Sequence, residues 1–126
     1  MPSYDSSHYD PPAPVAQVTL RAMASGALLP NVLMLLDTGA DVTLLPRIAV
    51  ERLGTPVSGK EYQLIGFDGK PSTAPAVELD MIFLRKAYRG RYLLTDGDHG
   101  ILGRDVLSSV VLLLDGPRQE WSEQAR

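Results

Sequence analysis

Apolar and polar side chains alternate from Val15 to about Met23, with Val15, Gln17 and Thr19 interleaved with Ala16, Val18 and Leu20. A period of two predicts a strand with one face on a core. Ser25-Gly26 predicts a turn, and the unbroken apolar run Val32 to Leu36 predicts a strand buried on both faces. After Asp37-Thr38-Gly39-Ala40 comes Val42 to Leu45, short and β-prone. Pro46 then opens a brief helix with Ile48, Val50 and Leu53 on one side and Gly54 as its stop. Glu61 to Ile65 and Ala74 to Leu84 predict two strands joined across Gly66-Phe67-Asp68-Gly69, where Asp-Gly is a hairpin-turn signal. A second hairpin is expected to turn at Arg89-Gly90, between Met81–Leu84 and Tyr92–Leu94. Gly103 to Leu107 predicts a short helix, and Val110 to Leu114 a last strand before Asp115-Gly116-Pro117.

Many short strands, glycine-bearing turns and one or two short helices predict a mainly β domain, a sandwich or barrel. The 126 residues suit one such domain, placed at 15–116. Residues 1–14, rich in Pro, Ser, Asp and Tyr, predict a flexible arm, because they offer little apolar surface against the entropy of ordering. Residues 117–126 form a tail that is polar except for Trp121, with a dimer interface as its candidate place.

Composition narrows the chemistry. The net charge of −3, with no basic run longer than Arg85-Lys86, argues against a nucleic-acid groove. Without cysteine, disulfide scaffolds, cysteine nucleophiles and zinc–thiolate sites drop out. Two histidines, His8 and His99, are too few for a histidine-based metal cage, so no metal or other cofactor is expected. No apolar stretch approaches the roughly 20 residues that span a bilayer. The opening residues lack the basic start of a secretory signal, so no membrane partner and a cytoplasmic location are expected.

The informative segment is Leu33-Met34-Leu35-Leu36-Asp37-Thr38-Gly39-Ala40-Asp41. A carboxylate directly after four apolar residues is costly to bury unless it is hydrogen-bonded or functional. Thr38 offers a hydroxyl to fix the loop, and Gly39 lets backbone approach the carboxylate. A simple turn ending a strand is the competing account of the tripeptide alone.

The string LLDTGADVTLL, the later Ile101-Leu102-Gly103-Arg104-Asp105-Val106-Leu107 and the glycine-bearing hairpin between them resemble the retropepsins, the single-domain aspartic proteases of retroviruses and their bacterial relatives. The resemblance spans about Val15 to Gly116. It implies a closed-barrel acid-protease fold, and an endopeptidase with polypeptide substrates. Catalysis in this family takes two carboxylates that share one proton and one water. The chain holds no second Asp-Thr-Gly or Asp-Ser-Gly, so the resemblance implies a homodimer with Asp37 beside its copy.

Carried over by residue, the resemblance makes Asp37 catalytic within the active-site loop Thr38, Gly39 and Ala40, braced by the pair Asp41 and Arg104. It assigns Ile65, Gly66, Phe67, Asp68 and Gly69 to a flap, although the family's usual tip is richer in glycine. Val42, Ile101 and His99 take positions of substrate-pocket walls, and a solvated turn remains open for His99. Two other classes compete. A non-catalytic dimerisation or peptide-binding module keeps the fold without turnover, and a metal-dependent hydrolase on the acidic residues lacks a coherent ligand set.

Overall fold

The computed structural model describes residues 2–57, 61–65 and 69–125. Ten strands and two short helices alternate along these residues. They are β1 (Tyr4–Asp5), β2 (Ala13–Arg21), β3 (Leu28–Leu36), β4 (Leu44–Pro46), α1 (Arg47–Leu53), β5 (Glu61–Ile65), β6 (Pro71–Phe83), β7 (Lys86–Thr95), β8 (Gly100–Leu102), α2 (Arg104–Leu107), β9 (Leu112–Asp115) and β10 (Glu120–Glu123). The protein is mainly β, as its alternating pattern predicts.

Eight strands join in the order β1-β2-β3-β8-β4-β7-β6-β5, and a further pairing of β2 with β6 closes this sheet on itself. The closure runs through Thr19↔Ile82, Leu20↔Met81 and Arg21↔Asp80. Inward side chains from the ring of strands, among them Leu20, Met34, Leu45, Leu79, Met81 and Leu102, are fully buried. Closure therefore lets one sheet enclose the core by itself.

Local chemistry explains the irregular points. β3 starts before the apolar run, at Leu28, and carries Pro30 and Asn31 inside it. The register passes from Val18↔Val32 to Leu20↔Leu29, so β3 holds one residue more than β2 there. Asn31 takes the extra place at φ 62°, a left-handed conformation that asparagine tolerates better than most residues. Gly54 ends α1 at φ 78°, its N–H reaching the carbonyls of Val50 and Glu51.

Two expectations are corrected. The second hairpin turns at Leu84-Arg85, both at positive φ, with Phe83↔Lys86 closing the turn. Arg89 and Gly90 lie inside β7 instead, opposite Asp80 and Leu79. The reason is tertiary: Asp80 is buried, and only this register sets Arg89 across from it. Helix α1 also turns a different face inward, burying Ala49, Val50 and Leu53 and leaving Ile48 exposed.

The ends of the described chain come together. Within residues 2–14, β1 pairs with β2 through Tyr4↔Pro14 and Asp5↔Ala13. The Trp121 N–H donates to the Pro2 carbonyl, and the Tyr4 N–H to that of Gln119. Trp121 is buried, its indole N–H donating to the Val15 carbonyl at 2.7 Å and its ring 6.2 Å from that of Phe83. β9 and β10 pair as a separate two-stranded sheet, on which Leu113 and Leu114 stay about half exposed (51% and 52%).

Candidate active site

Asp37 follows the last residue of β3. Its N–H donates to the Leu102 carbonyl at 3.0 Å, which carries the parallel β3–β8 pairing one step past Leu36↔Leu102. The loop then folds back on itself. Asp37 Oδ1 accepts the Gly39 N–H at 3.0 Å, and the Asp37 carbonyl accepts that of Ala40 at 3.2 Å. The carboxylate stays half-buried at the protein surface.

Arg104, the first residue of α2, holds this loop from outside. Its N–H donates to the Ala40 carbonyl at 2.9 Å and its Nη1 to the Thr38 carbonyl at 2.8 Å, while Nη2 pairs with the Asp41 carboxylate. A guanidinium is planar and rigid, so its two contacts together with the backbone one fix the loop's height and orientation. Thr38 takes part through its carbonyl.

A second, buried set of contacts lies beneath, one that the motifs do not announce. Thr43 is 1% exposed. Its hydroxyl donates to Asp105 Oδ1 at 2.7 Å and accepts the Gly103 N–H at 3.1 Å, while its own N–H donates to Asp105 Oδ2 at 3.0 Å. One threonine thus locks β4's approach to the start of α2. Gly103 sits so close that a Cβ there would lie 2.6 Å from the Val42 carbonyl carbon. The signal was present in both strings, a threonine in an apolar run and an aspartate after Gly-Arg, but a sequence does not say which polar residues face each other.

Of the other expected site residues, Val42 is exposed and Ile101 half-buried next to the loop. His99 precedes β8, and its ring lies 4.2 Å from that of His8 and 5.9 Å from that of Tyr9. Of the expected flap, Ile65 ends β5 opposite Pro71, and Gly69 stands at φ 75° before β6. Gly66, Phe67 and Asp68 lie outside the described residues.

Asp37 lines neither of two cavities of about 640 and 480 Å³. The larger lies between the 22–25 turn, the end of α1 and the Tyr62–Arg91 pair; the smaller is beside Trp121. Among the described residues no cluster of three or more His, Asp or Glu side chains could hold a metal ion, and no helix is long and apolar enough to cross a membrane.

A model of the aspartyl protease family matches residues 20–106, from β2 to α2. The solved structure of the protease of EIAV in complex with the inhibitor HBY-793 is similar, with 27% sequence identity and a TM-score of 0.57 over 77% of this chain and 86% of that one. A comparison with curated proteins finds no match. The match runs through the Asp37 loop, its Arg104 brace and the closed barrel that carries both: the chain belongs to the aspartyl proteases, in their retropepsin-like form.

Proposed function

We propose that this protein is an aspartic endopeptidase that works as a homodimer, with Asp37 of each protomer facing the other across a two-fold axis. The observation that carries the reading is the Asp37 loop itself: a carboxylate that ends a barrel strand and is held at the surface by a two-layered brace. A single such carboxylate is half a catalytic centre. A second copy supplies the missing acid and the opposite wall of the cleft.

Two carboxylates brought that close cannot both ionise, so they share a proton. The ionised one takes a proton from a water held between them, and the water oxygen attacks the scissile carbonyl. The protonated one donates to the carbonyl oxygen as the tetrahedral intermediate forms. Collapse of that intermediate returns a proton to the leaving nitrogen and breaks the C–N bond. The Asp41–Arg104 pair keeps the carboxylate aimed, and no cofactor takes part. The substrate is a polypeptide bound extended beneath the β5–β6 hairpin, with Val42, Ile101 and His99 on its pocket walls.

The test uses purified protein and a peptide library. Wild type is expected to cleave internal peptide bonds, Asp37→Asn to lose cleavage, and pepstatin to suppress it. Specific activity falls on dilution as the dimer dissociates, and an excess of Asp37→Asn subunits suppresses the wild type through dead heterodimers. Cleavage by a species shown to be monomeric, or cleavage that survives Asp37→Asn, overturns the reading.

A further inference from the structure

The family match begins at residue 20, yet the ring contacts of His99 are made by residues that precede it. Between Asp5 and Ala13 the chain leaves the sheet and returns, its base closed by the β1–β2 pairing. Asp5 organises the outgoing limb. One carboxylate oxygen accepts the Ser7 N–H at 2.8 Å, the Ser7 hydroxyl at 2.9 Å and the His8 N–H at 3.0 Å, and the other meets His8 Nδ1 at 2.8 Å. With Nδ1 engaged, the His8 ring is held in one orientation, 68° to the His99 ring plane in an edge-on contact. Tyr9 follows, tilted against the same imidazole.

This arrangement changes what a bound molecule would touch. His8 and Tyr9 pack against the ring of His99, so the loop between Asp5 and Ala13 extends the wall ascribed to His99. Burial pushes the Tyr9 phenol up from its ordinary value, and the negative charges of Asp5 and Asp37 push it the same way. The hydroxyl therefore keeps its proton, and the ring stands beside His99 just before β8, the strand whose parallel partner β3 leads into Asp37.

We propose that this loop is a wall of the substrate cleft, in which Tyr9 is a specificity residue that packs against an aromatic side chain flanking the scissile bond. The inference rests on the protease reading. A tyrosine ring offers an edge and a face to another ring, a contact worth more than its area alone. Asp5 and His8 are positioning residues, because Asp5 fixes His8, whose ring anchors the loop on His99 one residue before Tyr9.

The test compares matched peptides with Leu, Phe, Tyr or Glu beside the scissile bond. They are cleaved by wild type, Tyr9→Ala, Tyr9→Phe, His8→Ala and the remote control Met23→Ala, each checked for folding by its melting curve. Tyr9→Ala is expected to raise KM for the Phe and Tyr peptides by about three- to tenfold, with kcat kept and Leu peptides changed less. Tyr9→Phe keeps the wild-type preference, His8→Ala shows part of the loss, and Met23→Ala shows none. An equal change for every peptide overturns the proposal, as does uniform acceleration, which would make the loop an obstruction. Should the wild type cleave nothing, the protease reading fails, and NMR signals of the His99 ring titrated with the same peptides still decide. Saturable shifts with the Phe peptide that vanish in Tyr9→Ala support the wall, and signals that never move overturn it.

Discussion

Thr43 and Gly103 carry more of the candidate site's shape than their sizes suggest. The Thr43 hydroxyl both donates and accepts while 1% exposed to solvent. Thr43→Val keeps the volume but leaves the Gly103 N–H without its acceptor and removes a donor from Asp105. A loss of about 2–3 kcal/mol is expected in chemical denaturation, most of it restored in Thr43→Ser. Gly103→Ala sets a methyl against the Val42 backbone, where backbone must move. It should cost about 1–3 kcal/mol and reduce peptide cleavage as well, because the displaced strand leads directly from the Asp37 loop. Denaturation midpoints together with cleavage rates separate this from a purely global effect.

Among the elements, the β6–β7 hairpin departs furthest from its sequence signal. Arg-Gly is the better turn dipeptide, yet the chain turns at Leu84-Arg85, where two side-chain-bearing residues adopt the left-handed conformation. That conformation costs roughly 1–2 kcal/mol per residue outside glycine. The long register from Ala76↔Leu93 to Phe83↔Lys86 offsets it, together with the seating of Asp80. Arg85→Gly is therefore expected to stabilise the protein by about 0.5–1 kcal/mol, read as a higher melting temperature. Leu84 is left alone in this test because it packs against the core. An unchanged or lowered melting temperature would show that the Arg85 side chain makes a compensating contribution. The same principle governs α1, where helical spacing was legible but the inward face was not, since the barrel wall decides which side is covered.

At the scale of the molecule, Asp80 ties the closure of the barrel together. Its carboxylate is 2% exposed and receives Arg89 Nε at 2.8 Å and Nη2 at 3.1 Å from β7, and Arg21 Nε at 3.1 Å from β2. Hydrogen bonds from Arg89, and then from Arg21, hold the acid below the usual carboxylate range against the opposing effect of burial. A carboxyl lowered on folding stabilises the native state above its unfolded value of about 3.9, and that contribution is lost as pH falls through the folded value. Asp80→Asn should thus cost about 1.5–3 kcal/mol at neutral pH, and the gap to wild type should narrow below about pH 4. Unfolding curves across pH check it, and a gap independent of pH refutes the charge argument. Trp121 works at the same scale, joining the C-terminal hairpin to β2 and Phe83. Trp121→Ala should destabilise the whole protein by about 3–5 kcal/mol, the cost of emptying a large buried site.

By itself the sequence determined what depends on neighbours along the chain. Period-two alternation marked β2, the apolar run marked the buried part of β3, Gly54 marked the end of α1, and LLDTGAD with ILGRDVL identified the family and the carboxylate to watch. These signals are local, because side-chain direction in a strand, a left-handed cap and a motif are all set within a few residues. Only the tertiary structure decided which distant groups meet: Thr43 with Asp105, Asp80 with Arg21 and Arg89, Trp121 with Val15, and His8 and Tyr9 with His99. The Asp80 meetings follow from strand register and the closure of β2 on β6, where a shift of one residue would turn the side chain to the other face, and the others join loops, α2 and the β9–β10 hairpin that only the folded barrel brings together.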